Sequence, residues 1–196
     1  MPLLRGEPDT FPFSILELDA EDFPWWVAHV RSRQEKALAR YLRPREVPFY
    51  LPQHEHRKRR AGRNFVSYLP LFPGYLFFRG SSEQRLTVLR SDLLVRVLDV
   101  PDQALLTDEL AQIRSLQEAG ASFVRLPEFV PGDAVKVTEG PFEGYTGVVL
   151  RNQARTRLVI SISMLRQAVA VEFSREVLAP LVPSRWFDQS RSAVGF

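Results

Sequence analysis

Arg57, Lys58, Arg59, Arg60 and Arg63 fall within a window of seven residues, with Glu55 the one acid beside them. Guanidinium groups suit phosphate because their planar fork donates two hydrogen bonds at once. On a projecting hairpin, alternate residues point to opposite faces, so a run this dense makes both faces positive. Such a finger can lie along a phosphate backbone, where release of counterions drives sequence-independent binding. A solvated hairpin end that resists edge pairing would carry the same charges. His54 and His56, two residues apart, share one face of a strand, but a metal site needs more ligands and the chain has no cysteine. Neither a metal nor a cofactor is expected. No nucleophile elbow, P-loop, dinucleotide fingerprint or catalytic carboxylate pair stands out, so an enzyme is not expected either. In "LPLFPGYLFF", Phe72 sits between Pro70 and Pro73, where no regular strand partner buries it. It is either a core plug or an exposed apolar anchor for a partner, and its neighbours in sequence leave both open.

These residues need elements to hold them. The chain has 196 residues, 45% hydrophobic and 25% charged, with a net charge of +3. That is ordinary for a soluble globular protein of one or two domains. All but three of the 26 basic residues are arginine, the lysines being Lys36, Lys58 and Lys136. The absence of cysteine excludes disulfides and is compatible with a reducing compartment. The first residues mix prolines and acids where a signal peptide needs an unbroken apolar run, and no stretch approaches the roughly 18 apolar residues of a membrane helix. A soluble, cytoplasmic monomer without membrane contact is expected.

Residues 1–23 read as an extension without a sustained period. "WWVAHVR" follows as a strand. Ser32 with Glu35 three residues on predicts a capping box and a helix that ends at Pro44. "VPFYLP" is a short strand, and "HEHRKRRAGRNFVSYLPLF" a long hairpin with Ala61-Gly62 near its tip. "GYLFF", apolar except for its glycine, predicts a strand covered on both faces at the centre of its sheet. Ser81 with Gln84 predicts a second capping box, Thr107 a third helix start, and Gly120 that helix's stop. The order β-α-β-β-β-α-β-α over residues 24–120 is an α+β sandwich. After a linker at 121–128, residues 129–182 carry only short alternating strands: "AVKV", "GVVL", "LVISIS", "AVAVEF" and "EVLAPL". They predict a small all-β barrel of the SH3-like type, followed by a C-terminal tail at 183–196.

Taken in order, "WWVAHVRSRQEKALARYL", "LFPGYLFF", "FVPGDAVKVTEGPFEGYTGVV" and "LVISISMLRQAVAVEF" resemble the NusG family of bacterial transcription elongation factors. The third stretch looks like the family's KOW motif. The resemblance implies a first domain that binds the clamp helices of RNA polymerase and favours the elongating state. It places Phe72, Pro73 and Tyr75, with Trp26 and His29 beside them, at the polymerase-facing surface. The basic run itself, Arg57, Lys58, Arg59, Arg60 and Arg63, is expected to contact phosphates of upstream or non-template DNA. The KOW barrel would recruit a second partner, such as Rho or a small-subunit ribosomal protein, through an exposed loop at Met164, Leu165 and Arg166. "EVPFYLPQHEHRKRR" looks more like the specialised paralogues of the RfaH and UpxY type. Leu165-Arg166-Gln167 stands where the family often has Phe-Gly-Arg. A general RNA-binding or ribosome-associated KOW protein is the alternative reading, since KOW barrels also occur in ribosomal proteins.

Overall fold

Strand β2, Trp25–Val30, shows how the first unit is built. Its alternation sends Trp25 and Val27 into one core and Ala28 and Val30 into another, on opposite faces of one sheet. The structure is a computed structural model and describes residues 8–60, 62–125, 133–137, 143–144, 146–152, 155–165, 167–173 and 178–180. Before β2 comes β1, Thr10–Phe11, and after it α1, Glu35–Leu42, and β3, Phe49–Tyr50. The hairpin follows as β4, Gln53–Arg60, and β5, Arg63–Pro70. Then come β6, Tyr75–Arg79, α2, Ser82–Leu89, β7, Leu94–Asp99, and α3, Gln103–Glu118. The first sheet has the order β1-β3-β6-β2-β7. The central place expected for "GYLFF" is therefore the place of β6, whose Leu76, Phe77 and Phe78 are all buried.

One face of this sheet is covered by α1 and α2, through Leu38, Ala39, Leu42 and Val88. The other is covered by α3, through Leu106, Leu110, Ile113 and Leu116. Each fully buried side chain of this size contributes about 1.5–3 kcal/mol. Polar clamps fix α3 at both ends. Gln103 Oε1 accepts the Trp25 backbone N–H at 2.6 Å, and Trp25 Nε1 donates to Thr107 Oγ1 at 3.0 Å. At the far end Gln117 Nε2 donates to Gln53 O at 2.6 Å, and the Tyr50 hydroxyl donates to Gln117 Oε1.

The helix ends test the local signals. Ser81 and Gln84 form the expected capping box at α2. Gly120 ends α3 at φ +73°, with its N–H on Gln117 O and that of Ala121 on Leu116 O. This crossed pair of bonds is a Schellman stop, which needs a left-handed residue after the helix. The other two expectations fail. Asp102, not Thr107, caps α3, accepting from Leu105 N–H at 2.9 Å. Helix α1 starts after Gln34 without a side-chain cap, because Glu35 is turned inward to a distant partner.

The stretch read as an extension joins the sheet: Thr10 and Phe11 pair with Tyr50 and Phe49, and Ile15 is buried. Buried Arg79 ties it down by donating to Phe23 O at 2.7 Å and Ile15 O at 3.0 Å.

The second sheet contains β8, Phe123–Arg125, β9, Asp133–Val137, and β10, Thr146–Asn152. It continues with β11, Arg155–Ile162, β12, Gln167–Phe173, and β13, Leu178–Pro180. All neighbours are antiparallel, in the order β13-β9-β10-β11-β12-β8. Every predicted strand of this unit is present. Strand β8 was not predicted; it lies in the stretch read as a linker and pairs with β12. Val137, Ile160, Ile162, Val169 and Val171 share one core with α3. The layers therefore run from α1 and α2 through the first sheet and α3 to the second sheet.

Candidate functional site

The hairpin forms a sheet of its own, with Arg60 opposite Arg63 at the tip. Gly62 turns the chain at φ +76°, which its missing Cβ allows. At the base, Leu51 and Pro52 are buried, and Leu71 N–H donates to Pro52 O at 2.8 Å. Lys36 of α1 braces the ribbon by donating to Tyr68 O. Beyond that base, Arg57, Lys58, Arg59 and Arg63 are exposed. Arg57 is joined to Glu55 in a surface ion pair. Charges held in solvent like this contribute little to stability, so they are free to serve a ligand. His54 is half-buried; burial first, then the neighbouring His56, lowers its pKa, while a bond to the Leu69 backbone opposes them. Among the described residues no group of three or more His, Cys, Asp or Glu could hold a metal ion.

The residues of "FPGY" make a tight turn. Tyr75 N–H donates to Phe72 O at 3.1 Å, and Gly74 lies at φ +86°. Proline followed by left-handed glycine is the type II pattern. Gly74 is held from the side by Glu35, whose Oε1 accepts its N–H at 2.7 Å. The turn does not present Phe72. That ring is 1% exposed and meets Phe77 edge-on at 6.0 Å between centroids, so it is a core plug and not a surface anchor. Its backbone is fixed by the turn, and the ring belongs to the same buried cluster as Leu106, Leu110, Ile113 and Leu116 of α3. Pro73 and Tyr75 remain half-buried at the surface. Tyr75 lies opposite His29 on β2, and the two rings stack at 5.0 Å with 18° between planes. Trp26 is not part of this patch. It packs on the opposite face of the sheet, with Nε1 donating to Gly80 O at 2.8 Å and Arg85 over its ring.

The third candidate surface lies in the second sheet. Ser163–Leu165 is a 3-10 turn, not an exposed loop. Met164 and Leu165 are half-buried against the core shared with α3. Glu109 of α3 fastens the turn: its carboxylate accepts from Ser163 N–H at 3.0 Å and from Ser163 Oγ at 2.5 Å. Burial pushes the Glu109 carboxyl above the usual range, and the bonds from Ser163 pull the other way. Arg166 lies outside the described residues. The expectation of an exposed loop is therefore corrected: Met164 and Leu165 are half-buried in a turn that Glu109 fastens to α3. The roles of Glu35 and Glu109 were not legible in the sequence because their partners lie 39 and 54 residues away.

Residues 23–116 match the family model described as transcription termination factor nusG, and residues 131–160 match the KOW motif. A transcription termination/antitermination protein NusG of Buchnera aphidicola subsp. Baizongia pistaciae is 30% identical over 131 residues, which cover 62% of this chain and 71% of the relative. The chain belongs to the NusG family. The NusG of Pseudomonas aeruginosa is 27% identical over 166 residues, or 76% of this chain and 93% of that relative. A chain of the solved MjSpt4:Spt5 complex is 14% identical, with 81% of this chain and 97% of that one covered; its TM-score of 0.24 is too low to bear on the fold. The hairpin and the Pro73-Gly74 turn both fall inside the NusG match, and Ser163–Leu165 lies just past the KOW match.

Proposed function

We propose that this NusG-family chain is a transcription elongation and antitermination factor that acts by binding and not by catalysis. Its first unit binds the clamp helices of RNA polymerase through the surface around His29, Pro73 and Tyr75. The hairpin cations lie on phosphates of upstream or non-template DNA. The KOW unit recruits a second partner, such as Rho or a small-subunit ribosomal protein, once Met164 and Leu165 part from α3. The chain works as a cytoplasmic monomer without a cofactor, and the specialised-paralogue reading of its hairpin belongs to the same proposal. Among the described residues, no helix is long and apolar enough to cross a membrane.

The observation that carries this reading is the pair of matches on one chain, NusG at 23–116 and KOW at 131–160. A ribosome-associated KOW protein has no need of the first. The exposed basic ribbon adds physical support, since it offers cations to phosphate at little cost to the fold. Co-purification from cells tests it. Recovery of polymerase subunits supports the proposal; recovery of ribosomal subunits in high salt, without polymerase, overturns it.

A further inference from the structure

The two faces of the hairpin differ. Directly opposed residues of an antiparallel pair project to the same side. His54, His56 and Lys58 lie opposite Leu69, Ser67 and Phe65, while Glu55, Arg57 and Arg59 lie opposite Tyr68, Val66 and Asn64. Phe65 is 54% exposed on a ribbon that, among the described residues, pairs with no other strand. Lys58 faces it across the pair, and Arg63 precedes it by two residues on the same face. That face carries no carboxylate, whereas the other holds Glu55 in its ion pair with Arg57.

We propose that the Phe65 face binds an unpaired nucleic-acid strand, with a base stacked on the Phe65 ring and with Lys58 and Arg63 on the flanking phosphates. This rests on the nucleic-acid contact in the function proposed above and adds which form of nucleic acid it takes. A duplex hides the faces of its bases and offers only edges and backbone. An unpaired base offers a π-face of about the size of the ring and brings its phosphate with it. An apolar protein surface would also cover Phe65, but it would have to desolvate Lys58 and Arg63 without a counter-charge. Charge complementarity favours the strand.

Binding of the full chain to a labelled oligothymidylate and to a blunt duplex of equal length provides the test. Phe65→Ala, at an exposed position, is expected to leave the melting temperature unchanged. It should weaken oligothymidylate binding by about tenfold, spare the duplex and leave the salt slope intact. Phe65→Trp should retain binding. The inference is overturned if Phe65→Ala leaves oligothymidylate binding unchanged, or weakens both probes alike. It is also overturned if the variant loses polymerase capture while oligonucleotide binding stays intact, which would mark a protein-docking ring. The double variant Lys58→Ser/Arg59→Ser separates the two levels. If it weakens both probes while Phe65→Ala does nothing, stacking alone fails. If it changes neither, the nucleic-acid reading falls and the inference with it.

Discussion

Removing the Phe72 ring separates core from contact surface at the turn most characteristic of this chain. The ring is 1% exposed, and its edge-on neighbour Phe77 is fully buried in the cluster that both share with α3. Phe72→Ala deletes a closed-in aromatic, and truncations of that kind cost about 3–5 kcal/mol. The cost belongs near the upper end, because the aromatic pair adds about 0.5–1.5 kcal/mol beyond area and the Pro73-Gly74 turn limits collapse into the cavity. For a chain of 196 residues, where each kcal/mol is worth about 2–4 °C, the melting temperature should fall by about 10–20 °C. Differential scanning calorimetry reads this directly, and polymerase capture below the transition should remain near that of the parent. A variant that melts within about 2 °C of the parent yet fails to capture polymerase would refute the core placement.

Glu35→Ala should cost about 1–3 kcal/mol, because it orphans the N–H of Gly74; Glu35→Gln, which keeps an acceptor, should recover most of it in urea melts. The raised carboxyl of Glu109 gives the joint between α3 and the second sheet a pH dependence. A proton is held more tightly docked than parted, so this contribution is fully present below the ordinary glutamate value, about 4.3. It is lost as pH rises through the raised value of the docked state. Hydrogen exchange at the Ser163 amide should therefore quicken as pH rises above the ordinary glutamate value, beyond its intrinsic rate. Glu109→Gln should flatten that extra dependence. Replacing Arg57, Lys58, Arg59 and Arg60 by Ser should reduce the salt slope of duplex binding by about 0.9 for each phosphate left without its cation; an unchanged slope would leave the run as a solubility device.

What the sequence made legible was local. The apolar run of β6, the Ser81–Gln84 box and the left-handed stop at Gly120 each follow from residues within one turn or one strand. The strands of the second sheet follow from alternation. The hairpin was legible too, since both strands and the Gly62 tip carry their own signals. Where distant groups compete, the local signal loses. Ser32 and Glu35 have capping-box spacing, yet the partly buried N–H of Gly74 must be satisfied and Glu35 is the acceptor within reach. Phe72 had no periodic partner in sequence because its partners are Phe77 and a helix some thirty residues on. Strands β1 and β8, of two and three residues, are too short to show alternation. The joint at Glu109 and Ser163 exists only once both units are folded, so no window of sequence contains it.

Binding of the full chain to purified core RNA polymerase at equilibrium, with Tyr75→Ala alongside, tests the central claim most directly. Tyr75 is half-buried and stacked on His29, so its side chain can be shortened without opening the core that Phe72 fills. The account predicts saturable binding by the parent chain. It also predicts a loss of about 2 kcal/mol or more in the variant, about thirtyfold in Kd, with the fold retained. Absence of saturable binding, or equal binding by parent and variant, would contradict it.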